Sequence, residues 1–539
     1  MSATARLVRF LLHRERWQLT AWIAGIALLV LASSGAVLSE FAAESARRGI
    51  VAVAAANPAF LFLRGTPDGI SPGAVFFFQG FAFVAVLSAL MSTFFVVRNT
   101  RANEDAGRAE VVGALPMRRE TPLVACLVAL VLADAVLGGA VALALVAVGL
   151  NAAGALLTGV ATASVGLVFG VVAALAAQAM PSSRGANGLS AALVGAAYLL
   201  RAVGDALGRP DADLTVVEPA WPSWVSPIGW AQAVSPFGDA SPAPLLLPLV
   251  LTVVLGAAAI ALQRGRDLGA SLIRERPGRA GATRIRRSAL GLAFVQQRPT
   301  LVGWGIAAAV LGGIAGALAP TVADAIAGNR SLAELIGRLV PGARADVVDV
   351  FSAGILGICG VLAAAAGVQA VLRARSEEAE GRAELLLPTP LRRGTWLLGH
   401  VVVGAVSVLA VAVAAGTAAG LAFLLTGYGP ARVPESIGAA LAHVPAALVL
   451  VALTALLYAF VPRLAVPAGW LILVLALVAG QLGDLLRLPR WVRDLSPFAH
   501  SSALPLESLD VVAALLMSAI AVTGALCATL VFRRRDIPA

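Results

Sequence analysis

Long apolar blocks separated by short charged segments are the feature that most constrains how this chain folds. The blocks run for about 20 residues or more, and a helix rising about 1.5 Å per residue crosses a ~30 Å hydrocarbon layer in that length. They lack the two-residue alternation of barrel strands. With 59% hydrophobic and only 13% charged residues, the chain also lacks the surface of a soluble protein. We therefore expect an all-α polytopic membrane protein.

The blocks predict about twelve transmembrane helices, arranged as two sets of six. The first set lies near residues 19–38, 74–97, 122–150, 153–179, 186–204 and 245–262. The second set lies near residues 300–320, 350–372, 396–426, 437–461, 465–483 and 509–532.

The distribution of arginine predicts the orientation of these helices. The net charge is +10, and all 40 basic residues are arginine. With the N-terminus inside, 28 of the 40 fall on the inner segments. Such enrichment is typical of cytoplasmic loops, so we expect both termini in the cytoplasm and no nucleic-acid-binding role.

The chain also contains an internal repeat, most evident in the segment after the second predicted helix of each half. Residues 104–119 read EDAGRAEVVGALPMRR, and residues 378–393 read EAEGRAELLLPTPLRR. At a constant shift of 274 residues, eight positions of the first segment meet identical residues in the second: Glu104, Gly107, Arg108, Ala109, Glu110, Pro116, Arg118 and Arg119. This density of ungapped matches predicts a tandem duplication.

Weaker echoes occur in the same order in both halves. Trp224 precedes Ser226-Pro227 and Trp491 precedes Ser496-Pro497, although the residues that follow each Ser-Pro pair differ. Arg266-Asp267 follows the sixth predicted helix, and Arg535-Asp536 follows the twelfth. We therefore predict a six-helix half over 1–263, a basic cytoplasmic linker over 264–298 and a second six-helix half over 299–539.

The repeated segment reads as a short cytoplasmic helix. Glu104 with Arg108, and Glu378 with Arg382, have the i,i+4 spacing and order that favour ion pairs. Asn103 or Ser376 would begin the helix, and Pro116 or Pro388 would end it. A solvated turn would account for the arginines, but recurrence of the acids and glycines in register favours a docking surface for a cytosolic partner.

The residues offer no catalytic chemistry. A phosphate-binding Walker A loop requires a lysine, and the chain contains none. The four histidines lack metal-ligand spacing, and no nucleophile–base pattern is present. We expect a non-enzymatic chain without a metal or cofactor of its own, whose energy source lies elsewhere.

The repeated E-x-x-G-R-A-E…P-x-R-R segment, the Ser-Pro motif and the terminal Arg-Asp together resemble the ABC-2 class of ATP-binding-cassette permeases. More narrowly, the chain is similar to the fused, twelve-helix permeases of actinobacterial exporters for polyketide antibiotics and drugs. The resemblance implies two copies of a cytosolic ATPase that bind ATP and magnesium. It also implies a bacterial cytoplasmic membrane, a lipid bilayer around the chain and a small-molecule substrate.

By the same resemblance, the repeated segment would be the coupling helix that docks into the ATPase. The implied coupling residues are Glu104, Gly107, Arg108, Glu110, Glu378, Gly381, Arg382 and Glu384. The amphipathic segment 5–17 would correspond to the family's connecting helix, lying along the inner leaflet.

Polar and aromatic residues inside the predicted helices are candidates for the substrate path. We select four of them: Phe77, Gln79, Asp134 and Gln369. An interhelical hydrogen bond is the alternative for Asp134, which has no acidic partner in the repeat.

We expect the chain to be the permease subunit of an ATP-driven exporter of apolar or amphipathic compounds. A proton-coupled secondary multidrug transporter with two six-helix halves is the alternative. The roughly twenty-residue segment between the second and third helices, and its recurrence, favour the ATP-driven exporter.

Overall fold

A computed structural model describes residues 2–56, 58–273, 281–317, 319–320, 347–386, 391–481 and 489–535. The chain divides into two compact units, Met1–Pro277 and Gly278–Ala539. The division lies within the segment 264–298 that the sequence analysis assigns to a linker.

The described part of the first unit has eleven α-helices and one short hairpin. The helices are α1 Ala3–Glu40, α2 Glu44–Ala55, α3 Pro58–Arg64, α4 Pro72–Asn99, α5 Arg101–Asp105, α6 Arg108–Gly113, α7 Thr121–Ala147, α8 Ala152–Ala179, α9 Ser183–Ala206, α10 Pro227–Gln232 and α11 Leu246–Gly265. Strands β1 Arg209–Pro210 and β2 Val217–Glu218 pair antiparallel, with Arg209 opposite Glu218. Short 3-10 turns cover Trp221–Val225 and Ala243–Leu245.

The described part of the second unit has nine α-helices. They are α12 Ala289–Ala317, α13 Val347–Ala379, α14 Arg382–Leu386, α15 Arg393–Leu425, α16 Arg432–Ala442, α17 Val444–Phe460, α18 Ala465–Gln481, α19 Arg490–Arg493 and α20 Val511–Arg534. Short 3-10 turns cover Ile285–Arg287 and Pro497–His500.

The prediction of an all-α polytopic membrane protein is confirmed. Among the described residues, 11 helices are long and apolar enough to cross a bilayer. The shorter apolar helix α18, Ala465–Gln481, occupies the position of the predicted eleventh span. The predicted tenth span is divided into α16 and α17 at His443, because Pro445 follows at the start of α17 and cannot donate a backbone hydrogen bond.

The first helix differs from our expectation. We expected a separate surface helix over 5–17, but α1 is one continuous helix of 38 residues that begins at the Ser2 cap. The Ser2 hydroxyl accepts a hydrogen bond from the Ala5 amide, and no proline or glycine interrupts the chain before Gly25. The amphipathic segment and the first predicted span therefore form a single continuous helix.

Corresponding helices pack in the same pairs in the two units. In the first unit, α1 packs against α4 and α7, and α8 packs against α4, α7 and α11. In the second unit, α12 packs against α13 and α15, and α17 packs against α13, α15 and α20. A tandem duplication, which stays an inference from the sequence, predicts this recurrence.

Glycines allow several of these helix pairs to approach closely. A Cβ atom on Gly138 of α7 would lie 2.6 Å from the Gly159 carbonyl oxygen of α8. A Cβ atom on Gly312 of α12 would lie 2.2 Å from the Ala415 carbonyl oxygen of α15. Side chains at these positions would force the helices apart, as is typical of small-residue contacts between membrane helices.

Candidate coupling surface and intramembrane polar sites

The repeated segments adopt the same backbone turn in both units. In the first unit, α5 ends at Asp105 and Gly107 takes a left-handed conformation with φ 69° before α6 begins. In the second, α13 ends at Ala379 and Gly381 has φ 70° before α14. No heavy atom lies within 4 Å of a Cβ built on either glycine, so their conformation, not their size, favours glycine.

Our prediction of the helix boundaries at this turn is wrong. Asn103 lies inside α5 and Ser376 lies inside α13, so neither begins the repeated helix. Helices α6 and α14 begin instead at Arg108 and Arg382, directly after the left-handed glycines. Pro116 follows the end of α6, whereas Pro388 lies outside the described residues.

The predicted i,i+4 ion pairs within the segment are also not formed. Glu104 instead pairs with Arg101 at 3.1 Å and with Arg266, which is 162 residues away in sequence. Arg266 belongs to the Arg-Asp echo that follows α11. The acid of the repeated segment is therefore tied to the end of the last helix of its unit.

The second unit contains the same arrangement. Glu378 pairs with Arg375 at 3.7 Å and with Arg535, the first residue of the terminal Arg-Asp echo. The Tyr458 hydroxyl at the end of α17 donates a 2.6 Å hydrogen bond to Glu378. Arg382, the predicted partner of Glu378, pairs with Glu380 instead. Asp536 lies outside the described residues.

We call these two clusters the Arg–Glu–Arg junctions. They consist of Arg101, Glu104 and Arg266 in the first unit and of Arg375, Glu378 and Arg535 in the second. Arg101 and Arg375 were not among the predicted coupling residues, although they are related by the same shift of 274 residues as the rest of the motif.

Arg101 connects several chain segments at the first junction. Its side chain is 5% exposed and donates hydrogen bonds to the carbonyl oxygens of Pro181 at 2.6 Å and Ala270 at 2.9 Å. It also pairs with Asp105 at 3.2 Å. The repeated segment is thus fastened to the chain that follows α8 and to the chain that follows α11.

Burial separates two of the acids among the eight predicted coupling residues from the charged residues that face outward. The side chains of Glu104 and Glu378 are only 8% and 6% exposed, because they lie inside the junctions. Arg108, Glu110 and Glu384 face outward, and beside them Val111 is 74% exposed. An outward surface of charged residues around an apolar side chain is chemically suited to a protein contact, whereas the buried acids are suited to positioning it.

Asp134 lies at a junction of three helices. It is fully buried on α7, and the Ser92 hydroxyl of α4 donates a 2.8 Å hydrogen bond to its Oδ1 atom. Gly166 of α8 provides the space, since a Cβ there would lie 2.4 Å from that oxygen. The Oδ2 atom has no hydrogen-bond partner in the described part of the chain. Asp134 therefore forms an interhelical hydrogen bond through Oδ1, while its second carboxylate oxygen has no partner among the described residues.

The other candidate path residues do not join Asp134. Phe77 is buried and stacks on Phe81, with ring centroids 4.4 Å apart. Gln79 accepts a 3.4 Å hydrogen bond from Arg64 and lies 13 residues, roughly 20 Å along α4, from Ser92. In the second unit, Gln369 accepts a 2.6 Å hydrogen bond from the Trp304 indole. Their role in a substrate path stays a prediction.

A buried polar network that the sequence analysis missed closes the opposite end of the first unit. Arg201 and Asp205 of α9 are fully buried and form a 3.1 Å ion pair. The Ser223 hydroxyl donates to Asp205 at 2.7 Å, and the Gln232 amide donates to it at 2.9 Å. The i,i+4 spacing of Arg201 and Asp205 was visible in the sequence. Their burial was not, because it depends on the later chain segments that fold over them.

The Ser-Pro echo also has a common structural role in both units. The Ser226 hydroxyl donates to the Ala197 carbonyl at 2.7 Å, and the Ser496 hydroxyl donates to the Ala476 carbonyl at 2.8 Å. Each serine also caps the short helical turn that follows it. The motif therefore ties an end-capping turn to α9 in one unit and to α18 in the other.

The hairpin of the first unit is fastened by Asp211. Its carboxylate accepts hydrogen bonds from the backbone amides of Val216 at 3.1 Å and Thr215 at 2.7 Å. These hydrogen bonds lower the pKa of the Asp211 carboxyl, and the bond from the Val216 amide has the largest effect. Among the described residues, no group of three or more histidine, cysteine or acidic side chains could hold a metal ion.

Two comparisons with known proteins relate the chain to efflux permeases. Residues 287–533 match the family described as multidrug efflux system permease Rv1217c, C-terminal domain. The chain is also 32% identical over 539 residues to the multidrug efflux system permease protein Rv1217c of Mycobacterium tuberculosis (strain ATCC 25618 / H37Rv). That similarity covers 99% of this chain and 95% of the relative. The chain therefore belongs to the family of the multidrug efflux system permease Rv1217c.

Proposed function

We propose that this chain is the membrane-spanning permease of an ATP-driven exporter of apolar or amphipathic compounds. Two copies of a separate cytosolic ATP-binding-cassette ATPase would bind it and supply the energy. Membership in a family of multidrug efflux permeases supports the transport function. The absence of lysine from the sequence supports a separate ATPase, because a Walker A loop cannot form without one.

The repeated turn is the observation that carries the coupling part of this proposal. Both units place a left-handed glycine, a short helix and an exposed acid after the second long helix. Both also fix the turn through a buried Glu–Arg pair. A solvated loop needs no such anchoring, whereas a surface that receives force from a partner does.

We call the two repeated turns, from the end of α5 through α6 and from the end of α13 through α14, the coupling turns. In this mechanism, each coupling turn converts ATPase movement into helix movement. The ATPases close on ATP and push on α6 and α14. The Arg–Glu–Arg junctions transmit the displacement, since they tie each turn to the ends of α11 and α20. The bundle then changes between inward-open and outward-open states, and substrate leaves through the opened path.

Charge reversal of the two exposed acids tests the docking surface. We expect the double variant Glu110→Arg with Glu384→Arg to lose co-purification of the ATPase, because both side chains are exposed and lie outside the buried junctions. The permease itself would stay folded and monodisperse in detergent. The matched control is Glu218→Arg with Glu507→Arg, which reverses exposed acids on the predicted outer side of each unit. Normal ATPase recovery with the first pair would contradict the docking role.

The buried carboxyl of Asp134 favours a second candidate, the proton-coupled transporter. The two functions differ in energy source and can be separated in inside-out vesicles. An ATP-driven exporter accumulates drug on addition of ATP and continues when a protonophore collapses the proton gradient. Uptake that proceeds without nucleotide and stops with the protonophore would support the proton-coupled transporter.

A further inference from the structure

A cavity of about 510 Å³ lies under the coupling turn of the first unit. Its walls come from the N-terminal part of α1, the end of α4, helix α6, the start of α7 and the chain around residues 263–268. Helices α1, α4 and α7 are candidate membrane spans, and the cavity lies at their ends. The site is therefore at the level where a bilayer presents its headgroups.

The polar part of the cavity is strongly basic. Five arginines line it against two carboxylates, Glu104 and Asp267. Arg266 is neutralised by Glu104, but Arg108 and Arg118 form no ion pair with any described residue. Their positive charges are available to an anion, because both side chains are exposed to solvent.

The remaining wall of the cavity is apolar. Leu7 and Leu11 of α1, Val112 of α6, and Met117 and Leu123 near the start of α7 supply most of it. Leu11 and Leu123 are themselves buried and belong to the adjoining hydrophobic core. A ligand that fills the cavity must combine negative charge with hydrocarbon.

The second unit has a smaller cavity at the corresponding place. It measures about 160 Å³ and is lined by residues of α12, the end of α13 and the start of α15. Trp396 lines it where the repeat places Pro122 in the first unit, 274 residues earlier. The indole is 4% exposed and packs against Phe532, which leaves less space for a ligand.

From these features we propose that the first-unit cavity binds an anionic phospholipid. The phosphate diester lies against Arg108 and Arg118, and the upper part of one acyl chain lies against the Leu7–Leu11 face of α1. The bound lipid bridges α1 and α6, so it supports the coupling turn from the membrane side. This inference goes beyond the proposed export function and does not depend on the substrate or the ATPase.

Lipid binding to the purified, delipidated full chain tests the site. The probes are fluorescent phosphatidylglycerol and phosphatidylcholine with identical acyl chains. We expect phosphatidylglycerol to bind more tightly, and the double variant Arg108→Gln with Arg118→Gln to lose about five-fold in its affinity per arginine removed. The matched control is Arg382→Gln with Arg392→Gln, the same positions of the second unit, which leaves that affinity unchanged.

A second variant keeps all the arginines of the cavity and fills the volume that the lipid would occupy. Pro122→Trp introduces the residue that the second unit carries at this position, so the first turn of α7 is expected to accept it. We expect phosphatidylglycerol affinity to fall to that of phosphatidylcholine while the protein stays monodisperse.

Three results would overturn the proposal. Equal binding of the two lipids to the unaltered protein would remove the requirement for an anionic headgroup. Competition by glycerol 1-phosphate at the same concentration as phosphatidylglycerol would assign the site to a soluble phosphate. Loss of ATPase co-purification in the Arg108→Gln, Arg118→Gln variant, with lipid affinity unchanged, would assign the cavity to the partner protein.

Discussion

At the scale of single residues, the chain uses buried charge pairs to fix surface elements. The Glu104 and Arg266 side chains are 8% and 7% exposed, so each ion pairs with the other in place of water. Removing one partner of a buried pair leaves the other desolvated and unpaired, which is costly. In the proposed mechanism, the buried Glu104 and Glu378 therefore position the coupling turns, and the exposed Glu110 and Glu384 contact the partner.

A double-mutant cycle on Glu104 and Arg266 tests this role. We expect Glu104→Gln and Arg266→Gln each to lower the free energy of unfolding. The double variant should lose less stability than the sum of the two single losses. The coupling should be about 1–3 kcal/mol, measured by unfolding in mixed micelles. The exposed pair Arg119 and Asp267, separated by 3.4 Å, is the control and should show no measurable coupling. Additive effects at Glu104 and Arg266 would mean that the pair is incidental.

At the scale of helices, small residues decide which faces meet. Gly312 and Gly316 of α12 lie in the contact with α15 and allow its backbone to approach closely. Gly312 contacts the α15 backbone, and a Cβ on Gly316 would lie 2.4 Å from the Ala419 carbonyl oxygen of the same helix. Gly313, one residue away, has no heavy atom within 4 Å of its Cβ position. Two neighbouring glycines on α12 thus face quite different surroundings.

Valine substitution at Gly312 and Gly313 separates the effect of helix packing on stability from the effect of intrinsic helix propensity. Gly312→Val should destabilise the second unit by about 1–3 kcal/mol, because the added side chain meets the Ala415 carbonyl. Gly313→Val should not destabilise it, since its side chain enters open space. Thermal unfolding of both variants in the same detergent gives the comparison. Equal losses at the two positions would show that α12 and α15 do not pack as closely as described.

At the scale of the whole molecule, the chain forms two compact units, Met1–Pro277 and Gly278–Ala539. Each unit has its own buried hydrophobic core, its own coupling turn and its own Arg–Glu–Arg junction. The repeated pairing of helices within each unit agrees with descent from one duplicated bundle. The arginines predict the orientation in the membrane, since 28 of 40 lie on the segments that we expect on the cytoplasmic side.

Reporter fusions test that orientation. A fluorescent protein fused to the C-terminus should fluoresce, because it folds in the cytoplasm. Alkaline phosphatase inserted at Asp213, in the exposed turn between β1 and β2, should be active, because it requires export. A fluorescent protein at Asp213 should stay dark. The reverse pattern of activities would invert the topology and place the coupling turns outside the cell.

Much of the architecture was predictable from the sequence, because it depends on local properties. Apolar run length predicts the spans, and all twelve predicted positions overlap an apolar helix of the structure. The recurrence of the Gly-Arg-Ala-Glu segment predicted equivalent turns, and Gly107 and Gly381 have nearly the same φ angle. The boundaries of the short helices were wrong, because a left-handed glycine, not a side-chain cap, precedes them.

The partners of the repeated acids were decided only by the tertiary structure. By itself, the sequence determined the helices, their spacing and the repeated motif, since hydrophobicity and backbone preference act along the chain. An i,i+4 ion pair contributes only a few tenths of a kcal/mol, so local spacing could not hold Glu104 to Arg108. Folding brought Arg266 from 162 residues away and Arg535 from 157 residues away into desolvated contact with the two acids. Burial makes such pairs stronger than any exposed local alternative, and burial exists only once the helices have packed.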